Sequence, residues 1–160
     1  MPTLRAGHGA PPESVESPSP RAYRDRSTDA NRTTAKGVAL ASDFAPLGSV
    51  TAVAPHDLAG ATFDVVINAT SFGMREENPG PAPCPPTIFA PGSFAYDLVY
   101  ARTDVATPFV RFAKESGAAR AADGIGMLIE QAAESFRIWR GVRPDTASMF
   151  ALLRGHPRAD

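Results

Sequence analysis

Two short stretches carry the side chains best placed to do chemistry, Tyr96-Asp97-Leu98-Val99-Tyr100 and Asp123-Gly124-Ile125-Gly126-Met127-Leu128-Ile129-Glu130-Gln131. Each sets a polar group, Tyr100 in the first and Gln131 in the second, just beyond a probable strand, where open parallel sheets hold their ligands. A phenol and a primary amide both donate and accept hydrogen bonds, which suits a hydroxylated or carboxylated ring. Taken singly, a glutamine on a helix is more often solvated and such a tyrosine more often edges a core. Further upstream, Arg32 and Lys36 flank Thr33 at the start of an apolar-periodic stretch, and Thr70-Ser71 follow the run Val65-Val66-Ile67. Small hydroxylated residues after a buried strand suit close approach to a ligand and equally suit an ordinary turn.

The elements that position these residues follow from periodicity and punctuation. Val38, Leu40, Ala41 and Phe44 fit an amphipathic helix from Thr33 that ends near Pro46 and Gly48. Val50 to Val53 fits a short strand, and Phe63 to Ala69 a strand buried on both faces. The proline-rich stretch from Pro79 to Pro86 must be a surface loop, and Phe94 to Leu98 is another strand. Thr107 caps a helix with Pro108 at its first position, stopped by Gly117. Ala119 to Ala122 is a short strand. A long helix runs from Met127 to Arg140, with Leu128, Ala132, Ser135, Phe136 and Trp139 on its apolar face and Gly141 as its stop. Asp145 caps a last helix reaching Leu153. Strands alternating with helices define an α/β domain with a mostly parallel sheet.

Composition narrows the function classes. The chain has 160 residues, 43% hydrophobic and 21% charged, with a formal net charge of −1, which fits one domain of ordinary composition. Acids and bases nearly balance and no basic stripe interleaves with aromatics, so a nucleic-acid partner is not expected. No apolar run is long enough to span a bilayer and no signal peptide is evident, so a membrane role is not expected either. The single cysteine, Cys84, has no internal disulfide partner and reads as a buried or idle thiol; a cytoplasmic location follows as the expectation. No metal site is expected.

Residues 1–30 are rich in Pro, Ser, Arg and Gly and show no hydrophobic periodicity, so they are expected to be unstructured. Gly7-His8-Gly9 superficially opens a phosphate-binding loop, but Pro11-Pro12 blocks the helix that should follow. Ser27-Thr28-Asp29-Ala30 is polar where a buried parallel strand should be apolar. The segment has the composition that an out-of-frame reading of a GC-rich coding region would give.

Several pieces in fixed order resemble the shikimate dehydrogenases, which reduce 3-dehydroshikimate with NADPH in aromatic amino-acid biosynthesis. They are Asn31-Arg32-Thr33, the stretch from Phe63 to Met74 with Asn68-Ala69-Thr70-Ser71 at its turn, Tyr96 to Tyr100, Thr107-Pro108, and Asp123 to Gln131 followed by Ala132-Ala133, Phe136 and Trp139. The resemblance runs from Asn31 to about Arg154. It implies an incomplete Rossmann-like, doubly wound domain over residues 31–154 with C-terminal helices, and a tail at 155–160.

By the same resemblance, Asn31, Arg32, Thr33 and Lys36 correspond to the segment that holds the adenosine 2′-phosphate of NADP(H). The chemistry agrees: a phosphate wants a guanidinium fork, hydroxyls and helix-start amides, whereas a ribose hydroxyl wants an acid. The nearest acid, Asp29, lies two residues before Asn31. Thr70 and Ser71 correspond to the turn beside the nicotinamide, and Leu98, Gly124 and Met127 to its pocket wall, with Gly124 lacking a Cβ so that the ring comes close. Tyr100 and Gln131 correspond to substrate contacts for 3-dehydroshikimate or shikimate. No catalytic residue is assigned, because the family's lysine and aspartate fall in a substrate domain with no counterpart here. The chain's lysines, Lys36 and Lys114, stand in other contexts. A fragment inactive by itself is therefore expected, working with a complementing N-terminal half or as a homo-oligomer. The other readings are a non-catalytic nucleotide-binding or regulatory module, an inert remnant with a bare sheet edge, and a quinate/shikimate dehydrogenase.

Overall fold

A computed structural model describes residues 3–7, 27–74, 80–101 and 105–155. Its strands are β1 (Thr3–Gly7), β2 (Ser27–Ala30), β3 (Val50–Val53), β4 (Phe63–Ala69), β5 (Phe89–Asp97) and β6 (Arg120–Ala122). The helices are α1 (Thr34–Phe44), α2 (Pro108–Glu115), α3 (Ile125–Arg140) and α4 (Ala147–Gly155). The six strands form one sheet in the order β3-β2-β1-β4-β5-β6, the doubly wound order. β2 pairs parallel with β3, and β4, β5 and β6 pair parallel in turn. β1 lies between the two halves and runs antiparallel to both of its neighbours. Five strands thus point one way and the sheet is mostly parallel, with a single reversed strand at its centre.

Residues 1–30 depart from expectation in two places, since Thr3–Gly7 and Ser27–Ala30 are strands. The polar Ser27-Thr28-Asp29 becomes a strand because its backbone is paired on both sides, with β1 and β3, and its side chains are buried only toward the end, at Asp29 and Ala30. Pairing of this kind is non-local and leaves no trace in local hydrophobicity. The sheet therefore has no bare position between β2 and β4. Gly7 belongs to β1, and the rest of the proposed phosphate loop, His8-Gly9, lies outside the described residues. So does the end of the expected tail, residues 156–160, whereas Gly155 closes α4.

The core sits against β4 and β5, where Val66, Ala95, Ile88, Phe109 and Ala113 are fully enclosed. β4 is buried completely at Phe63, Val66 and Asn68 but only half at Val65 and Ile67, so its two faces are not equally covered as expected. α2 matches its sequence signals: the Thr107 hydroxyl accepts a hydrogen bond from the Val110 amide, and Pro108 fills the first helical position. α3 ends at Gly141, whose φ of 73° is the left-handed stop.

Both amphipathic faces assigned from sequence need correction. α1 buries only Gly37, and Val38 is 54% exposed. A Cβ at Gly37 would lie 3.2 Å from Asp29 Oδ2 and 3.3 Å from Ala52 Cβ, so the helix docks by bringing its backbone down onto β2 and β3 rather than by burying large side chains. α3 buries Ile125, Ile129 and Ala133, an i, i+4, i+8 stripe, while Phe136 is exposed and Trp139 is 77% exposed. Periodicity identified the helix, but α3 carries apolar residues on more than one side and the neighbouring strands choose which is buried.

Candidate functional site

The parallel strands bring the C-terminal ends of β2, β4, β5 and β6 to one edge of the sheet, and most of the sequence-predicted site residues lie just past those ends. A cleft of about 550 Å³ opens between the end of β2 and the turn after β4, lined by Ala30, Arg32, Thr34, Thr70, Ser71 and Phe72 on those two elements. His56 and Pro83 close its other side. Sequence reasoning missed these two, since neither stands in a recognisable motif.

At the β2 end the chain turns sharply into α1. Asn31 is buried, its amide donates to the Val53 carbonyl at 3.1 Å, and its Oδ1 accepts from the Thr33 amide at 3.0 Å. This short Asx turn leaves Arg32, Thr33 and Lys36 exposed. Thr33 caps α1 without spending its hydroxyl on the helix, and the first turn contains no acid. Two cations, a hydroxyl and the unsatisfied amides of a helix start therefore share one corner, a ready anion site. Asp29 is 1% exposed, beneath α1 beside Gly37, and does not line the cleft.

The turn after β4 is held by a buried polar network. Asn68 Oδ1 accepts from the Thr70 amide at 3.0 Å and from the Thr70 hydroxyl at 2.6 Å, and Thr70 Oγ1 accepts from the Phe72 amide at 3.0 Å. Asn68 Nδ2 donates to Asp97 Oδ1 at 2.8 Å. Asp97, with no exposed surface, also accepts from the Val99 amide at 3.1 Å and, through Oδ2, from the Thr107 hydroxyl at 2.6 Å. One carboxylate thus ties together the turn after β4, the turn after β5 and the cap of α2. Burial pushes the Asp97 carboxyl above its ordinary range, with a small push from Asp123; the hydrogen bonds from Thr107, Val99 and Asn68 pull it back. The sequence signal for this hub was an Asn and an Asp near the ends of otherwise apolar strands, where a buried polar group needs partners.

Beyond β5, Leu98 and Tyr100 are each 37% exposed. The amide of Leu98 donates to Asn68 O at 2.9 Å, and Gly124 N donates to Val99 O at 3.1 Å. Asp123 joins the same two loops, accepting from the Ala101 amide at 3.4 Å and the Ile125 amide at 3.3 Å. A Cβ on Gly124 would fall 2.5 Å from Leu98 O and 2.9 Å from Leu98 C. The missing side chain is thus required by the packing of the loop after β5 against the start of α3, whatever it also allows a ligand to do. Met127 and Gln131 are exposed on α3. They and Tyr100 stand outside the lining of the cleft that holds Arg32 and Thr70.

Cys84 is buried, and burial pushes its thiol up to about 12, so it stays a protonated, inert thiol at neutral pH. Among the described residues no group of three or more His, Cys, Asp or Glu side chains is arranged to hold a metal ion. None of the described helices is long and apolar enough to cross a membrane.

Fold and site together define a doubly wound α/β domain with a candidate ligand edge built from loops after parallel strands. Residues 124–154 match the shikimate 5′-dehydrogenase C-terminal domain. The chain is 50% identical over 125 residues to the NADP(+)-type shikimate dehydrogenase of Dechloromonas aromatica, covering 78% of this chain and 44% of that one. With the corresponding enzyme of Methylobacillus flagellatus the identity is 47% over 152 residues, 94% of this chain and 54% of that one. That span reaches into the first thirty residues, so the relation does not stop at Asn31 as expected from sequence. A crystal structure of the Thermus thermophilus shikimate 5-dehydrogenase in complex with NADP(H) and shikimate superposes with a TM-score of 0.61 at 33% identity, over 77% of this chain and 43% of that one. The chain spans about half the length of the relatives it matches. Over the matched span it is similar to the shikimate dehydrogenases, with residues 124–154 matching their C-terminal domain.

Proposed function

We propose that this chain is the cofactor-binding half of an NADP-dependent shikimate dehydrogenase, acting in the reduction of 3-dehydroshikimate to shikimate. The observation that carries the reading is the anion corner of Arg32, Thr33 and Lys36 with no acid in the first turn of α1, opening on the cleft that Thr70 and Ser71 also line. Arg32 and Lys36 would hold the adenosine 2′-phosphate, with Asn31 shaping the turn that presents them and the Thr33 hydroxyl free to donate. Burial of Asp29 removes the carboxylate that would otherwise accept from a ribose 2′-hydroxyl and repel a phosphate.

When bound, NADPH supplies the hydride that reduces the substrate carbonyl carbon. In this reading Thr70, Ser71, Leu98, Gly124 and Met127 would hold the nicotinamide. Tyr100 and Gln131 would hydrogen-bond the hydroxylated, carboxylated substrate. The carbonyl oxygen also needs a proton from a group within hydrogen-bond reach. No residue described here is assigned that task; by the family resemblance it would fall to the lysine and aspartate of a substrate-binding portion outside the matched span. In this reading the reduction would also need that portion. A cytoplasmic location is consistent with the reading.

Fluorescence titration with NADPH and NADH tests it. Replacing Arg32 with alanine should weaken NADPH binding by about 1.5–3 kcal/mol, the worth of a hydrogen bond to a charged group, and leave NADH binding unchanged. Equal losses for both cofactors, or none, would overturn the assignment of Arg32.

A further inference from the structure

The loop after β3 shares the cleft with the anion corner, yet the cofactor reading gives it no role. Ala30, the last residue of β2, pairs in parallel register with Val53, the last residue of β3, and the Asn31 amide donates to the Val53 carbonyl at 3.1 Å. The chain therefore leaves the two strands side by side at the same edge. Arg32 follows closely on Ala30 and His56 on Val53, and both line the cleft.

The backbone that carries His56 is tied down. Pro55 opens a single helical turn, Pro55–Leu58, with its φ fixed by the ring. The Asp57 amide donates to the Ala54 carbonyl at 3.0 Å, and the Asp57 carboxylate accepts from the Ala54 amide at 3.4 Å. Leu58, 2% exposed, anchors the turn in the core. The imidazole itself stays 83% exposed, with Nε2 3.4 Å from Asp57 Oδ1. Among the described residues lining the cleft, Arg32 is the other side chain that carries charge; the Pro81-Ala82-Pro83 and Thr70-Ser71-Phe72 segments bring none. A phosphate monoester offers three strong acceptor oxygens, more than one guanidinium satisfies. Histidine is the side chain whose charge changes between about pH 5 and 8, and both ring nitrogens donate when it is charged.

We propose that His56 is a specificity-determining residue of the cofactor site, whose protonated imidazole joins Arg32 on the adenosine 2′-phosphate and makes the preference for the phosphorylated cofactor depend on pH. The inference rests on the reading of Arg32, Thr33 and Lys36 as the 2′-phosphate corner. Asp57 stands at ion-pair distance from the ring and competes with the phosphate for it. The gain is therefore that of an exposed ion pair, about two- to five-fold in affinity. It vanishes as the imidazole loses its proton.

The test is calorimetric titration of the full chain with adenosine 2′,5′-bisphosphate and with 5′-AMP, at about pH 5.5 and about pH 8, on either side of the histidine range. The ratio of the two affinities reads the preference for the 2′-phosphate. That phosphate gains charge over the same range, which by itself strengthens binding as pH rises, so each ratio is compared with that of His56→Gln at the same pH. In acid the glutamine variant should show a ratio about two- to five-fold lower than the parent, and near pH 8 the two should coincide. His56→Lys, with a fixed charge, should keep the parent's acid ratio at both pH values. Equal ratios for the parent and His56→Gln in acid, or a deficit of the same size at both pH values, would overturn the proposal. The two claims fail differently. A preference that needs Arg32 but not His56 sinks only the role of His56, whereas a parent chain with no preference for the bisphosphate at either pH sinks the cofactor reading and this proposal with it.

Discussion

Replacing Thr107 with valine removes a hydroxyl that makes two buried bonds and changes little else in shape. The hydroxyl donates to Asp97 Oδ2 at 2.6 Å and accepts from the Val110 amide at 3.3 Å as the cap of α2. Both partners are enclosed: Thr107 is 3% exposed and Asp97 has no exposed surface. Losing a donor to a buried carboxylate costs about 1.5–3 kcal/mol, and losing a cap costs about 1 kcal/mol. The expected destabilisation is about 3 kcal/mol once the small gain from the added methyl is set against the sum. Thr107→Ser keeps the hydroxyl and should lose less than half as much. Asp97 provides an internal control through pH. Its folded pKa lies above the unfolded one, so the neutral carboxyl is favoured in the fold. That contribution is fully present below the unfolded pKa and is lost as pH rises through the folded one. Without the Thr107 donor the ionised form suffers more, so the deficit should be largest at neutral pH and shrink in acid. Urea unfolding followed by circular dichroism at neutral and acid pH measures this directly. A valine variant within about 0.5 kcal/mol of the parent, the range of ordinary surface substitutions, would refute the assignment of Asp97 as the hub of the three loops.

Other expectations follow from the same geometry. Gly124→Ala places a Cβ 2.5 Å from Leu98 O, and a backbone shift of the kind that overpacking forces should cost about 1–3 kcal/mol in thermal or urea unfolding. The Cys84 thiol, pushed by burial from an ordinary 9.0 up to about 12, should resist thiol reagents at neutral pH and react only on unfolding. Because that folded pKa is the higher one, its contribution to stability is intact below pH 9.0 and declines by about 1.4 kcal/mol per pH unit between the two values. Trp139 should be quenched by iodide in the folded chain nearly as well as in urea, since it is 77% exposed. Glu134, partly exposed and held below its usual range chiefly by Arg137, contributes whatever it contributes only above its unfolded pKa. Glu134→Gln should leave the urea midpoint at neutral pH unchanged.

The sequence disclosed elements wherever a local rule governed them. The apolar run of β4, the Thr107-Pro108 start of α2 and the Gly141 stop of α3 each follow from a few neighbouring residues. It did not disclose which side of α1 or α3 would be buried, because both carry apolar residues around more than one face. Gly37, with no side chain to count in any periodicity, decides the first, and the Ile125, Ile129, Ala133 stripe decides the second. β1 and β2 were hidden for another reason. Their residues are polar or small, and what makes them strands is backbone pairing with segments far along the chain. The same divide runs through the candidate site. Arg32 was nameable from its place at a helix start and Thr70 and Ser71 from theirs after a strand, whereas the bonds from Asn68 to Asp97 and from Asp97 to Thr107 join residues 29 and 10 positions apart.

The most direct test of the account is an NADPH titration of the isotopically labelled chain followed by amide chemical shifts. Saturable movement of the amides of Arg32, Thr33, Lys36, Thr70 and Ser71, with NADH moving the first three far less, is the result predicted for a cofactor lying along the ligand edge with its 2′-phosphate at the start of α1. Saturable binding that leaves those amides still and moves the surface of α4 instead would contradict it.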